Sequence, residues 1–209
     1  MHRTPVVIVL AAGNGSRFSG EQHKLVQPIG GASVMGLTIV HAIESRLPVV
    51  VVTTSSLAAE ATRWVARRDL VLLPEVGTAG AGPLGMGFSI AAGVAARPQA
   101  PGWLVLPADM PLVRPSSLRA VAAAIEQHPV AYAQHHGRRG HPVGFAAELY
   151  SELAQLSGDE GARRVIARYP SFGVELDDPG VLQDVDTRAD LDTLRAAVAA
   201  SAATQPTAR

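Results

Sequence analysis

The chain has 209 residues, 47% of them hydrophobic and 17% charged, which reads as one large α/β domain and excludes a disordered or fibrous chain. Its 18 basic and 18 acidic side chains cancel, so no broad electrostatic field for nucleic acid or an anionic membrane is expected. The absence of cysteine excludes disulfides, thiolate catalysis and cysteine-held metal centres.

Strand and helix patterns alternate from the start. VVIVLAA (6–12) is a β-branched run ended by Gly13, the signature of a strand buried on both faces. Residues 33–46 carry helical spacing, VVVVT (49–53) reads as the next strand, 57–67 as a helix and 70–73 as a third strand. A Gly-rich loop (77–87) precedes a helix over 88–96, the strand WLVL (103–106) and a helix over 116–127. The second half predicts a hairpin, with strands at 130–134 and 143–145 around the polar loop HHGRRGHP. Helices follow at 148–155 and 160–168, short strands at 173–176 and 181–185, and a closing helix at 189–199. The expectation is therefore a three-layer, Rossmann-like wound, mostly parallel sheet with a small β-hairpin insertion, forming a single domain over 1–199 with a disordered tail over 200–209. No apolar run approaches the roughly 18 residues of a membrane helix and no secretory pattern stands at the N-terminus, so a cytoplasmic setting is expected.

In such a sheet, ligands bind at the carboxyl ends of the strands, which gathers the loops after residues 12, 52 and 106. The first loop reads LAAGNGSRFSGEQHK. Gly13 and Gly15 allow a tight turn whose N–H groups form a phosphate-sized hollow, and Arg17 and Lys24 add two cations. Lys24 is the only lysine, set among 17 arginines. Phe18 occupies the third glycine position of a dinucleotide fingerprint, no carboxylate closes the second strand, and the P-loop Gly-Lys-Ser/Thr is missing. In LVLPADMP (104–111), Asp109 sits at the strand's end, where a carboxylate suits Mg²⁺ used together with substrate phosphates. In DVDT (184–187), Thr187 and Asp190 read as a capping box, which leaves Asp184 and Asp186 for metal. His135, His136 and His141 do not show a zinc-site pattern. His141 with Arg138 or Arg139 fits a substrate phosphate better, against the alternative of a solvated basic loop. Met86, Met110, Trp64 and Trp103 read as packing residues.

At these motifs the chain resembles the MobA/MocA family of nucleotidyltransferases, particularly the molybdenum cofactor cytidylyltransferases. The likeness takes in LAAG…R…K, GPLGMGFSIAAG (82–93), LPADMP, GRRGHPVGF (137–145), GDEGAR (158–163) and DVDTRADL. It implies the nucleotide-diphospho-sugar transferase type of fold and transfer of CMP from CTP to the terminal phosphate of molybdopterin, with release of pyrophosphate. It also implies that Leu10, Ala11, Ala12, Gly13, Asn14 and Gly15, with the catalytic Arg17 and Lys24, hold the nucleotide. Gly80, Gly82, Gly85, Gly87 and Ser89 would flank its base and ribose. Asp109 and Asp186 would bind Mg²⁺, with Asp184 as the alternative to Asp186. Arg138, Arg139, His141 and Arg163 would face the acceptor. Ala12 favours CTP over GTP, and a transient docking to a molybdoenzyme or its chaperone is implied. RFSG carries one residue more than the family's RMG, and Arg188 stands where the family often has Pro.

The charge pattern agrees: joining two phosphates requires several negative charges to be neutralised while they are held in line, and no nucleophilic side chain is needed. A sugar phosphate or isoprenoid-precursor phosphate is the alternative acceptor. A non-catalytic cofactor-binding protein is the alternative class, and it would need neither Asp109 nor Asp186.

Overall fold

Runs of Val, Ile and Leu alternate their side chains between two helical layers, and this alternation builds the centre of the molecule. The computed structural model describes residues 4–13, 22–74 and 85–204. The strands are β1 (Val6–Ala11), β2 (Pro28–Ile29), β3 (Ala32–Ser33), β4 (Val49–Thr54), β5 (Leu70–Leu73), β6 (Gly102–Pro107), β7 (Val130–His135), β8 (Arg138–Ala146) and β9 (Ser171–Glu175). The helices are α1 (Val34–Glu44), α2 (Ser55–Ala61), α3 (Gly85–Ala95), α4 (Pro115–Ala124), α5 (Tyr150–Leu153), α6 (Arg163–Arg168) and α7 (Arg188–Thr204).

Seven strands form one sheet in the order β5-β4-β1-β6-β8-β7-β9. Neighbours pair in parallel except at β8, which runs antiparallel to both β6 and β7. Val7, Val9, Val51, Leu104 and Leu106 face α1, α4 and α7, where Ile39, Leu118, Val121 and Leu191 meet them. Val6, Ile8, Val50, Val52, Trp103 and Val105 face the other way, onto Ile90 and Val94 of α3, Leu153 of α5 and Val165 of α6. Each strand thus serves two cores, the period-2 consequence of a buried parallel sheet. Trp103 is fully buried, and among the described residues no helix is long and apolar enough to cross a membrane.

The expected hairpin forms, with His136 and Gly137 both at positive φ (49° and 73°), the geometry of a two-residue turn matched to strand twist. Its strands join the main sheet, and β8 extends well beyond the predicted return strand. The separate small sheet is β2–β3, which turns through Gly30 and Gly31. Other boundaries differ too: the helices expected at 116–127, 148–155 and 160–168 span Pro115–Ala124, Tyr150–Leu153 and Arg163–Arg168, and four more differences stand out. The 57–67 helix stops at Ala61 and gives way to turns and a 3₁₀ turn at Arg67–Asp69. The helix expected from 88 begins at Gly85. The 181–185 strand is instead a 3₁₀ turn, Pro179–Leu182, because Pro179 lacks an N–H and the Asp178 carboxylate accepts from Gly180 N at 3.0 Å. The closing helix continues to Thr204, while 205–209 lie outside the described residues.

Glu60 of α2 links two of these pieces. Its carboxylate accepts from Ser33 Oγ at 2.6 Å, Trp64 Nε1 at 3.1 Å and Arg63 Nη1 at 2.9 Å, and Ser33 Oγ in turn caps α1 by accepting from Gly36 N at 2.9 Å. Burial opposes the charge, but the Ser33, Trp64 and Arg63 donors prevail and hold Glu60 below the usual glutamate range. The unfolded chain therefore takes up this proton first as the pH falls. The stabilisation is complete above the ordinary glutamate pKa and disappears as the pH drops through the lower native value. Thermal melts of the wild type and Glu60→Gln are expected to differ most at neutral pH and to draw together on acidification through that window. A gap constant from pH 7 to pH 3 would contradict this assignment.

Candidate active site

Three segments far apart in sequence meet at the carboxyl edge of β1 and β6. Leu10 pairs with Pro107 across these parallel strands, and Ala108 N donates to Leu10 O at 3.0 Å, so the chain leaving β6 delivers Asp109 beside the end of β1. Thr38 Oγ1 of α1 donates to Ala108 O at 2.9 Å. Val185 N donates to Asp109 O at 2.9 Å, which draws the 184–187 segment alongside. Lys24 begins the 3₁₀ turn Lys24–Val26. His23 Nδ1 accepts from Leu25 N at 3.2 Å, which leaves its Nε2 to donate to Gly13 O at 2.9 Å. His23 therefore ties the lysine turn to the exit of β1. No motif in the sequence singles it out.

Lys24 Nζ lies 2.6 Å from Asp109 Oδ2 and 2.7 Å from Asp186 Oδ1, and its side chain is only 11% exposed. Burial disfavours the ammonium, yet the charges and hydrogen bonds of Asp109 and Asp186 outweigh that cost and hold Lys24 above the usual lysine range. Asp184 completes a trio with Asp109 and Asp186, whose ligand oxygens lie within 4.8 Å of one another, the one group of this kind among the described residues. Burial, then the neighbouring Asp186 and Asp109 charges, raise the Asp184 carboxyl above the ordinary aspartate range. Three carboxylates share this small volume with the Lys24 ammonium. Asp109 Oδ1 is inaccessible to solvent and has no hydrogen-bond partner among the described residues, which leaves it as an available hard-oxygen donor.

Two devices hold the acidic segment in place. Thr187 and Asp190 form the expected capping box at the start of α7: Asp190 N donates to Thr187 Oγ1 at 3.2 Å and Thr187 N to Asp190 Oδ2 at 2.7 Å. Upstream, Asp178 is 3% exposed and accepts from Arg114 N at 2.9 Å, Ser117 Oγ at 2.6 Å and Gly180 N at 3.0 Å. It pins the segment to the N-terminus of α4. A Cβ on Gly180 would lie 2.2 Å from Leu112 O, so the two backbones approach as closely as they do only because no side chain intervenes.

A cleft of about 710 Å³ opens against β6 and β8, lined by Met86, Ile90, Val105, Val143, Phe145 and Ile166 and by the polar groups of Arg139, His141, Asp159, Glu160 and Arg163; the trio itself does not line it. Arg139, His141, Val143 and Phe145 alternate along one face of β8. Arg138 belongs to the opposite set and does not line the cleft. Arg139 also stacks its guanidinium over Tyr132, 4.2 Å from the ring centroid. His141 is held below the usual histidine range by burial, so at neutral pH it is uncharged, and positive charge in the cleft comes from Arg139 and Arg163. His135 Nδ1 is bonded to Leu176 O at 2.8 Å. Met110 and Trp103 are buried, whereas Met86 is half exposed and lines the cleft rather than filling the core.

Of the glycines expected beside the nucleotide, Gly85 and Gly87 serve a visible packing purpose. A Cβ on Gly85 would meet Gly158 O at 2.2 Å and one on Gly87 would meet Ser157 O at 2.6 Å, and Gly87 N donates to Gly158 O at 2.9 Å. These two glycines let the GDEGAR loop rest on the start of α3. Ser89 turns its hydroxyl back to Gly85 O at 3.4 Å. Ala11 is buried, and Ala11 O accepts from Thr53 Oγ1 at 3.2 Å. Leu10, Ala12 and Gly13 stand at the carboxyl edge of β1. Asn14, Gly15, Arg17, Gly80 and Gly82 lie outside the described residues.

Residues 7–172 match the family model of the MobA-like NTP transferase domain. The purine catabolism protein PucB of Bacillus subtilis (strain 168) is 29% identical over 94% of this chain and 99% of its own length. A Mycobacterium sp. strain JC1 homologue of Mycobacterium tuberculosis Rv0371c has a crystal structure that superposes with a TM-score of 0.79, at 26% identity, over 96% of this chain and 100% of that one. Rv0371c itself, solved in complex with manganese, superposes with a TM-score of 0.75 at 24% identity, over 94% of this chain and 100% of its own.

Asp178→Ala would leave the Arg114 N–H and the Ser117 hydroxyl without their buried acceptor. Urea denaturation is expected to show a loss of about 2 to 4 kcal/mol. A change within about 0.5 kcal/mol would remove Asp178 from its anchoring role.

Proposed function

The chain belongs to the MobA-like NTP transferase family, and from that premise we propose that it transfers CMP from CTP to the terminal phosphate of molybdopterin, releasing pyrophosphate. The observation that carries the reading is the meeting of Lys24, Asp109 and Asp186 at the carboxyl edge of β1 and β6. Three segments separated by up to 162 positions have no structural need to converge on one ammonium. A phosphoryl-transfer site does need such charge.

In this reaction an oxygen of the acceptor's phosphate attacks the α-phosphorus of CTP. The bond from that phosphorus to the α,β-bridging oxygen breaks, and the electron pair leaves with pyrophosphate. Neither partner requires a covalent enzyme intermediate, so the protein's work is to align two anions and offset their charge. Lys24 fits the second task as a compact cation on a flexible stem, able to follow charge onto the leaving group. The donor set of Asp109, Asp186 and Asp184, with the orphaned Asp109 Oδ1, fits a hard divalent cation, which we assign as Mg²⁺. The manganese complex of Rv0371c supports a metal of this class. Bound there, the ion would neutralise α-phosphate oxygens and ease attack by another anion on the phosphorus that carries them.

The cleft supports the acceptor. Arg139 and Arg163 supply cations for a phosphate, the more open apolar wall of Met86 and Ile166 suits a ring system, and the Asp159 and Glu160 carboxylates can accept from the N–H groups that a pterin carries. The neutral His141 is assigned to shaping this wall rather than to binding phosphate. Ala12 at the β1 exit carries the preference for CTP.

Pyrophosphate release with purified protein, molybdopterin, Mg²⁺ and each of the four nucleoside triphosphates tests this function. CTP is expected to give the highest rate. Equal rates with CTP and GTP would refute the nucleotide assignment, and silence with all four would refute the acceptor. Lys24→Ala and Asp109→Asn, each checked for intact fold by circular dichroism, are expected to lose at least about a hundredfold in turnover. Wild-type rates in either variant would abolish the mechanism.

A further inference from the structure

Lys24 stands where the metal's own charge would have to act. Its Nζ is shared between Asp109 Oδ2 at 2.6 Å and Asp186 Oδ1 at 2.7 Å, two oxygens of the trio assigned to the cation. A divalent ion held by these two carboxylates at its usual contact of about 2.1 Å, through the shared oxygens or through Asp109 Oδ1, would come within a few ångströms of the ammonium if the lysine stayed. The side chains here are 11% to 20% exposed, so repulsion between a double and a single positive charge is several times its value in open water. The two cations therefore compete for the same pair of carboxylates.

The ammonium has somewhere to go. Lys24 carries a four-carbon stem on a turn tethered by His23 to Gly13 O at 2.9 Å, so a small rotation of the stem redirects Nζ without moving the backbone. The exit of β1, where the nucleotide phosphates are assigned, is the neighbouring position. Without a metal the same ammonium prevents Asp109 and Asp186 from repelling each other at close range, which keeps the acidic segment in register.

We propose that Lys24 is a resident counter-ion that holds the metal's place between Asp109 and Asp186, and that metal entry frees its ammonium for the nucleotide phosphates. The inference rests on the metal reading above. Its consequence is reciprocal coupling. Metal raises nucleotide affinity by releasing the lysine, and nucleotide raises metal affinity by the same factor, because each removes a cost from the other. The roles of Lys24 as place-holder and as phosphate ligand are then successive, not simultaneous.

The lone lysine makes the test direct. Protein labelled with ¹³C-lysine gives one Lys Cε–Hε signal, that of Lys24. Titrating Mg²⁺ without nucleotide is expected to shift this signal to saturation. In parallel, Mn²⁺ binding followed by electron paramagnetic resonance, again without nucleotide, is expected to be at least about tenfold tighter in Lys24→Met than in the wild type. If Mn²⁺ binds the wild type but the lysine signal does not respond to Mg²⁺, or Lys24→Met binds Mn²⁺ no more tightly, the place-holder role is overturned and the metal site stands. If neither protein binds Mn²⁺, the metal assignment falls and the inference falls with it. The NMR titration uses the unaltered chain, so misfolding of the variant cannot rescue the proposal.

Discussion

The ammonium shared by Asp109 and Asp186 is the contact around which the rest of the structure is arranged. Three carboxylates cannot stay ionised within 4.8 Å of one another unless positive charge stands among them. Burial first, and then the Asp186 and Asp109 charges, raise the Asp184 carboxyl even with Lys24 in place. Each of the three contributing segments is fixed by neutral backbone contacts that do not depend on charge. Val185 N reaches Asp109 O, Ala108 N reaches Leu10 O, and His23 fastens the lysine turn to Gly13. The scaffold thus sets the geometry first, and the ions respond to it. This is the order a preorganised site requires.

Close backbone approach does as much of this work as hydrogen bonding. Gly140 on β8 faces Val181 O, 2.0 Å from where a Cβ would stand, and Gly180 faces Leu112 O at 2.2 Å. The segment carrying Asp178, Val185 and Asp186 is therefore pressed between β8 and the stretch that follows Asp109. At the other side of the cleft, Gly85 and Gly87 bring the start of α3 against Ser157 and Gly158, so the loop that lines the cleft has no room to retreat. A glycine-rich motif in such a chain carries two demands at once, room for an anionic ligand and room for a second backbone.

This double demand explains what the sequence did and did not make legible. Alternation of Val6 to Ala11, Val49 to Thr54 and Gly102 to Pro107 announced the parallel core, because burial on both faces imposes an unbroken apolar run. The position of Asp109 at a strand end, and the spacing of Thr187 to Asp190, were equally readable from local rules. The convergence of Lys24 with both acids on one site was legible as chemistry, since a single lysine among arginines called for a reason, but their direct ion pairing was not. Other features depend on contacts between distant positions. Val181 and Val185 look like strand residues, but Pro179 and the Asp178 cap make a 3₁₀ turn and bury the two valines individually. His23 acts through ring nitrogens that no spacing rule anticipates. The packing purpose of Gly85 became visible only once Gly158 stood opposite it.

The reversal of β8 gives the site its second half. Had this strand run parallel to β6, its carboxyl end would have supplied one more loop to the edge that carries Asp109. Because it runs antiparallel, with Val105 opposite Val143, continuing the register sets His141 across from Pro107 and brings the start of β8 to the same edge as Asp109. Arg139 and His141 therefore reach the cleft from a paired strand rather than from a loop. Their direction is fixed by the two-residue alternation that also buries Phe145 in the core. A register shift between Tyr132 and Gln134 separates the stretch that carries Arg139 and His141 from the regular pairing of Val143 and Phe145, so the start of β8 is set apart from the part of the strand that packs in the core. Val143 and Phe145, packed into the core, hold the regular half of β8 to the sheet, and the irregular half carries Arg139 and His141 to the cleft.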